Sequence, residues 1–166
     1  FKVVVLTDDP ATAENESLGC SQEAFTKAGI AAGQNQLAVA RRGDCARVAK
    51  AIFAQQAGAA AALMINNAES YPPYEGTITA NPDTEEPYNV TIPFLGVRST
   101  DAAALVAQNG KTVTLASNRL SNPAYTGYAD FSSAGARFGD SGLKPSVSAP
   151  GVSIVSAAVG TGNEGT

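Results

Sequence analysis

Two kinds of short apolar segment alternate along the chain as far as residue 117, and this alternation limits the folds open to it. Some segments have the length and composition of strands, and others repeat their apolar residues at helical spacing. The predicted strands are residues 1–6, 37–41, 59–66, 90–97 and 111–117, and the predicted helices are residues 22–27, 46–57 and 101–109. The order of these elements predicts a mixed α/β (α+β) fold.

The predicted ends of two helices depend on single residues. Gly58 follows the helix at 46–57 and is the expected stop at its carboxyl end. Ser99 and Thr100 precede the helix at 101–109 and are candidate amino-terminal caps.

Composition excludes several classes of function. The 166 residues contain no histidine, so the chain cannot form a Ser-His-Asp triad, a Cys-His pair or most zinc sites. The net charge of −4 argues against a nucleic-acid-binding face. No apolar run approaches the roughly 20 residues of a membrane helix. We therefore predict no catalytic residue, no metal ligand, no cofactor, no nucleic-acid partner and no membrane partner.

Residues 68–89 form a stretch with a different composition. They contain five acidic residues and four prolines but neither Lys nor Arg. This composition predicts a long acidic surface loop, which we call the acidic loop. Its carboxylates offer the oxygen ligands that calcium prefers, although the EF-hand spacing is absent, so a solvated loop is the favoured interpretation.

Two short motifs resemble catalytic signatures only superficially. Residues 160–165 fit GxGxxG, but the helix and the later acidic residue that a dinucleotide site needs do not follow. Residues 139–142 (GDSG) place Ser141 in a protease-like motif without a histidine to accept its proton, so a turn is predicted. Asp8 and Asp9 are adjacent and would point to opposite faces of a strand, which favours a turn or capping role.

Cys20 and Cys45 are the two cysteines of the chain, and their number alone does not decide between a disulfide bridge and two free thiols.

Asn15 and Asn89 begin glycosylation-type triplets, which are compatible with secretion. The chain begins at Phe1 without a signal-peptide pattern, which predicts a processed product or an excised segment.

Several short motifs follow one another between about residue 18 and residue 115. They are Gly19-Cys20, residues 37–45 with Arg42 and Gly43, residues 51–60 (AIFAQQAGAA) with Gly58, and residues 63–67 (LMINN). In this order they resemble the protease-associated (PA) domain, a family that shows "GC", a strand ending in "RGxC", a helix with "A…AGA" and a strand ending in "NN". The resemblance implies a small β-barrel or sandwich with flanking helices over residues 1–120. It also implies a disulfide between Cys20 and Cys45, which would contribute about 3–4 kcal/mol in the chain-entropy model.

We assign residues 121–166 to a linker and an irregular carboxyl-terminal extension. A second resemblance covers about residues 130–166 of this region. Residues 131–135 (FSSAG) and 143–154 (LKPSVSAPGVSI) are similar to subtilisin-like serine proteases just before their nucleophile. Ser146 stands where that family usually has Asp. The positions that match the family motif are Ala149, Pro150, Gly151, Gly165 and Thr166. The family's catalytic Asp, His and Ser match no position of this chain.

Together the resemblances imply a non-catalytic PA module of a secreted, extracellular subtilisin-like serine endopeptidase. Such a module would gate substrate access or mediate protein or peptide interaction, with the host protease's catalytic domain and peptide substrates as partners. The alternatives are a free-standing domain that uses carboxylates of the acidic loop, and a structural or dimerisation element.

Overall fold

The computed structural model describes residues 1–11, 15–73 and 75–118, together with 132, 136, 138–142, 145 and 147–149. The chain divides into two compact units, Phe1–Ala116 and Ser117–Thr166. Every helix and strand of the described residues lies in the first unit.

The first unit alternates strands and helices. The strands are β1 (Lys2–Val5), β2 (Gln36–Arg41), β3 (Ala61–Ile65) and β4 (Phe94–Val97). The α-helices are α1 (Gln22–Lys27), α2 (Arg47–Gln56) and α3 (Ala102–Val106), and two 3₁₀ turns cover Glu16–Leu18 and Ser99–Asp101. The predicted mixed α/β class with flanking helices is confirmed.

The four strands form one parallel sheet in the order β1-β2-β3-β4. The resemblance implied a small barrel or sandwich, and among the described residues the strands form an open sheet with β1 and β4 at its ends. The central strand β3 is buried along its whole length, and β2 is buried except at Arg41. Parallel strands covered on both faces are continuously apolar, which explains why these two show little polar alternation.

The two faces of the sheet carry side chains of different size. The face toward α1 and α2 presents small residues, among them Ala38, Ala40 and Ala62, and these pack with Phe25. The opposite face presents larger residues, and residues of α3 pack against it. The larger residues are Val3, Val5, Leu37, Val39, Leu63 and Ile65. Alanines leave the room that a helix needs to pack closely on a sheet.

The predicted strand at 111–117 is wrong, because these residues contribute an isolated bridge and no strand. Lys2 and Thr112 form an isolated antiparallel bridge beside β1. The N–H of Val3 donates to the Lys111 carbonyl at 2.9 Å, while the N–H of Val5 donates to the Asn109 side chain at 3.0 Å. Phe1 and Val113 also exchange backbone hydrogen bonds of 2.8 and 2.9 Å. At Val5 a side chain replaces the backbone partner, so the pairing with β1 ends there.

The cap prediction for the third helix is also wrong. Ser99 lies inside the 3₁₀ turn and Thr100 with it, and neither accepts a capping hydrogen bond. Instead, the Asp101 carboxylate pairs with the Arg98 guanidinium through two hydrogen bonds of 2.9 and 3.0 Å. This pair holds the carboxylate away from the helix, and it keeps the pKa of Asp101 below its usual value.

Candidate functional site

The carboxyl ends of the parallel strands meet at one edge of the sheet, and the disulfide lies in the connections that leave this edge. Cys20 precedes α1, and Cys45 lies between β2 and α2. The structure joins them in a disulfide with a Cα–Cα distance of 5.6 Å. The predicted pairing is confirmed. Both cysteines are half-buried, so solvent reaches the bridge.

Lys50 lies beneath this disulfide and is 1% exposed. Its Nζ donates to the Leu18 carbonyl at 2.6 Å and to the Gly43 carbonyl at 3.0 Å. The same Nζ lies 3.1 Å from Sγ of Cys45 and 3.6 Å from Sγ of Cys20. The lysine therefore joins the two chain segments that the disulfide also joins.

The electrostatic state of Lys50 follows from its burial. Desolvation lowers the pKa of Lys50 from 10.5 to about 8, and the charges of Asp44 and Asp83 oppose this shift. A buried ammonium is tolerated only where acceptors replace water, and the two carbonyls do so. Sequence reasoning missed this residue because a lysine inside a helical pattern is normally on the solvent side.

Arg42 and Gly43 of the predicted motif have distinct structural roles. The Arg42 guanidinium donates to Oδ1 of buried Asn66 at 2.9 Å, which links the ends of β2 and β3. A Cβ at Gly43 would lie 2.8 Å from Cδ2 of Leu18. Glycine at this position therefore lets the two segments beside the disulfide approach closely.

Gly58 ends the second helix, as predicted. It adopts φ +97°, a conformation that favours glycine. A Cβ there would also collide with the backbone nitrogen of Ala32. Gly58 thus meets two requirements, a left-handed helix end and a close contact between chain segments.

The acidic loop is anchored to the beginning of α2. The Asp83 carboxylate accepts a hydrogen bond of 2.9 Å from the N–H of Ala46, where a negative charge is favourable to a helix. Glu75 forms an ion pair with Arg47 in the first turn of the same helix. Most of the loop is exposed, as expected of a surface loop. Among the described residues, no three Asp, Glu, Cys or His side chains gather as metal ligands.

The far end of the acidic loop is held by Gln55. Its Oε1 accepts from the backbone N–H groups of Thr91 at 2.7 Å and Ile92 at 3.1 Å. Its Nε2 donates to the Asn89 carbonyl at 2.9 Å. These bonds tie residues 89–92 to α2, and they explain why β4 begins at Phe94 instead of residue 90.

An open groove of about 380 Å³ lies between α2 and the anchored loop. Its floor on the helix side includes Ile52 and Phe53, and its wall on the loop side includes Asn81, Glu86 and Tyr88. We call this feature the loop groove. It combines an apolar floor with polar groups, which is the usual composition of a binding site.

Several other residues singled out in the sequence are also among those that the structure describes. Ser141 is exposed in a turn in which the Gly142 N–H donates to Asp140 at 3.1 Å, which confirms the predicted turn. Asp8 and Asp9 accept backbone hydrogen bonds from Ser17 and Ala11, as expected of turn residues. Ala149 is exposed. The described residues do not include Pro150, Gly151, Gly165, Thr166 or the GxGxxG motif at 160–165.

The family model of the PA domain matches residues 2–105, which is more than half of the chain. The chain therefore belongs to the PA domain family. PA domains are protease-associated modules often found in proteases, and membership suggests a non-catalytic role. No curated protein matches the chain. Among the helices of the described residues, none is both long and apolar enough to cross a bilayer.

Proposed function

We propose that this chain is the PA module of a secreted subtilisin-like serine endopeptidase, and that it controls substrate access or holds a protein or peptide partner. The observation that carries the proposal is the order of the motifs. The PA family match ends at residue 105, and the subtilisin-like motifs at 131–135 and 143–154 follow it.

Two further features support this assignment. A disulfide joins Cys20 and Cys45, and disulfides persist mainly in oxidising compartments such as the extracellular space. The absence of histidine makes acyl-transfer catalysis by a triad impossible within the chain. The disulfide favours a location outside the cell, and the missing histidine favours a binding role, with the host protease's catalytic domain as the first partner.

The parentage is tested by sequencing the coding region on both sides of this segment. We expect the catalytic Asp and His motifs of a subtilisin-like protease upstream and its serine motif directly downstream. A parent protein without these motifs would overturn the assignment.

The binding role is tested on the full chain with a peptide digest of casein. We expect at least one peptide to shift the NMR signals of residues 1–116, and we expect no peptide-bond cleavage. Unchanged NMR signals of residues 1–116 would contradict the proposal. Peptide-bond cleavage that persists after serine-protease inhibitors have been added would also contradict it.

A further inference from the structure

The loop groove has a fixed wall, because the turn around Asn81 is closed by hydrogen bonds. The Asn81 N–H donates to the Glu86 carbonyl at 2.9 Å, and the Asn81 carbonyl accepts from Glu85 at 2.7 Å. Oδ1 of Asn81 accepts from the N–H of Asp83 at 3.0 Å. The backbone of this wall and the Asn81 side chain are therefore held in place before any ligand arrives, which lowers the entropic cost of binding.

Asn81 offers an unused donor to the groove. The residue is 5% exposed and lines the groove. Within the described residues, no hydrogen bond uses its side-chain NH₂, and no fully buried side-chain nitrogen lacks a partner. The NH₂ group is therefore not sealed from solvent, and because Asn81 lines the groove, a ligand carbonyl bound there would satisfy this donor.

The carboxylates of the acidic loop divide into two groups. Asp83 and Glu75 are engaged at the start of α2. In the described part of the chain, Glu69, Glu85 and Glu86 are exposed and form no ion pair, and Glu86 lines the groove. The loop has no Lys or Arg to neutralise these charges. Glu86 therefore gives the groove a negative charge that no ion pair of the described residues neutralises, and this charge favours a cationic ligand.

The helix side of the groove suits the stem of a long cationic side chain. Phe53 of α2, with Pro87 of the loop, provides apolar surface next to Glu86, and the buried Ile52 lies behind it. Lys and Arg side chains lay their methylene stems on apolar surface while the charged end stays at a polar rim. The combination of apolar floor, carboxylate rim and amide donor matches a basic residue within a peptide.

We propose that the loop groove binds a Lys or Arg side chain of an extended peptide segment. The aliphatic stem lies on the apolar floor, the cationic end pairs with Glu86, and the Asn81 amide donates to a peptide carbonyl. This inference rests on the proposed function, since it specifies which peptides the module holds and where.

The test uses the full ¹⁵N-labelled chain and two matched probes. The first is the blocked peptide Gly-Ala-Ala-Lys-Ala-Ala-Gly, and the second carries Nε-acetyl-lysine in place of lysine. We expect the lysine peptide to shift the amide signals of residues 52–56 and 81–88 and to bind about three- to fivefold more tightly, as expected for one partly exposed ion pair. Raising the salt from roughly 20 to 300 mM removes most of this preference, because ions screen exposed charges.

Glu86→Gln is the decisive variant, and Glu69→Gln is its matched control outside the groove. Glu86→Gln removes one carboxylate at the groove and brings the lysine peptide to the affinity of the acetylated one. Glu69→Gln removes one carboxylate of the same loop and leaves the affinity unchanged. Both residues are exposed, so both variants keep the fold.

Three results would overturn the inference. They are equal affinity for the two peptides, equal effects of the two variants, and shifts located away from the groove. If casein peptides still bind residues 1–116, the proposed binding role survives this failure. If neither the probes nor the casein digest bind, both proposals fall.

Discussion

Lys50 and Cys45 are in direct contact, with the lysine Nζ 3.1 Å from the cysteine Sγ. The two residues are five positions apart, and Lys50 belongs to the helix that begins just after Cys45. The ammonium reaches back to the Leu18 and Gly43 carbonyls, which flank the two half-cystines. One buried cation therefore reinforces the covalent connection with hydrogen bonds between the same segments.

The first prediction concerns the pH dependence of stability. Burial lowers the pKa of Lys50 to about 8, below the value of 10.5 expected in the unfolded chain. Between these values the unfolded state binds more protons, so stability rises with pH. The cost of burying the charge is fully present below about pH 8 and is relieved as the pH approaches 10.5. We expect the wild type to gain on the order of 2–3 kcal/mol relative to Lys50→Met over this window.

Urea unfolding at several pH values between roughly 7 and 10 measures this difference. Lys111→Met, at an exposed lysine, controls for the loss of a lysine as such. Parallel curves for the wild type and Lys50→Met would show that burial does not perturb Lys50.

The second prediction concerns the disulfide. The Cys20→Ser/Cys45→Ser double variant should lower the free energy of unfolding by about 3–4 kcal/mol, because the unfolded chain is released from a loop with a sequence separation of 25. Urea unfolding of this variant and of the reduced wild type should give similar midpoints. Mass spectrometry of unreduced tryptic peptides should show the two cysteines linked. Alkylation of both cysteines without reductant would contradict the bridge.

Local patterns in the sequence predicted the elements whose cause is local. Val48, Ala49 and Ile52 recur at helical spacing, and Gly58 ends the helix they define. The burial of Lys50 could not be predicted in this way, because it depends on the carbonyls of Leu18, between β1 and α1, and of Gly43, between β2 and α2. Such acceptors come together only when the chain has folded.

The loop groove could not be predicted from the sequence for the same reason. Composition predicted an acidic surface loop, but the anchoring of Asp83 at Ala46 joins residues 37 positions apart. The cap predictions at residues 99 and 100 were wrong because residues 99–101 form a 3₁₀ turn, so the α-helix begins one residue later and its cap position falls on Asp101, whose carboxylate pairs with Arg98. The anchoring of the acidic loop therefore depends on a long-range pair, which leaves no periodic trace in the sequence, whereas the start of the third helix depends on a local pair of residues three positions apart.

The third prediction separates backbone strain from steric conflict at glycine positions. Gly58 and Gly33 both have positive φ, +97° and +78°. A Cβ at Gly33 meets nothing within 4 Å, whereas at Gly58 it collides with Ala32. Gly33→Ala should therefore cost about 1–2 kcal/mol from conformation alone, and Gly58→Ala should cost more because the backbone of Ala32 must move. Equal losses in thermal or urea unfolding would show that the close approach carries no cost.

The last prediction concerns where the folding unit ends. We expect the predicted PA domain, residues 1–120, to fold without the rest of the chain, because every residue of the two core clusters lies at or before Leu115. A chain truncated after Pro123 should unfold within a few degrees of the full chain.

A chain truncated after Gly110 is the matched comparison. It loses the Lys111 carbonyl that accepts from Val3, and it loses Val113, whose N–H donates to the Phe1 carbonyl. Since β1 is an edge strand, removal of this pairing should lower the midpoint by several degrees. If truncation after Pro123 lowers the midpoint as much as truncation after Gly110, residues beyond 123 belong to the folding unit and the predicted boundary is wrong.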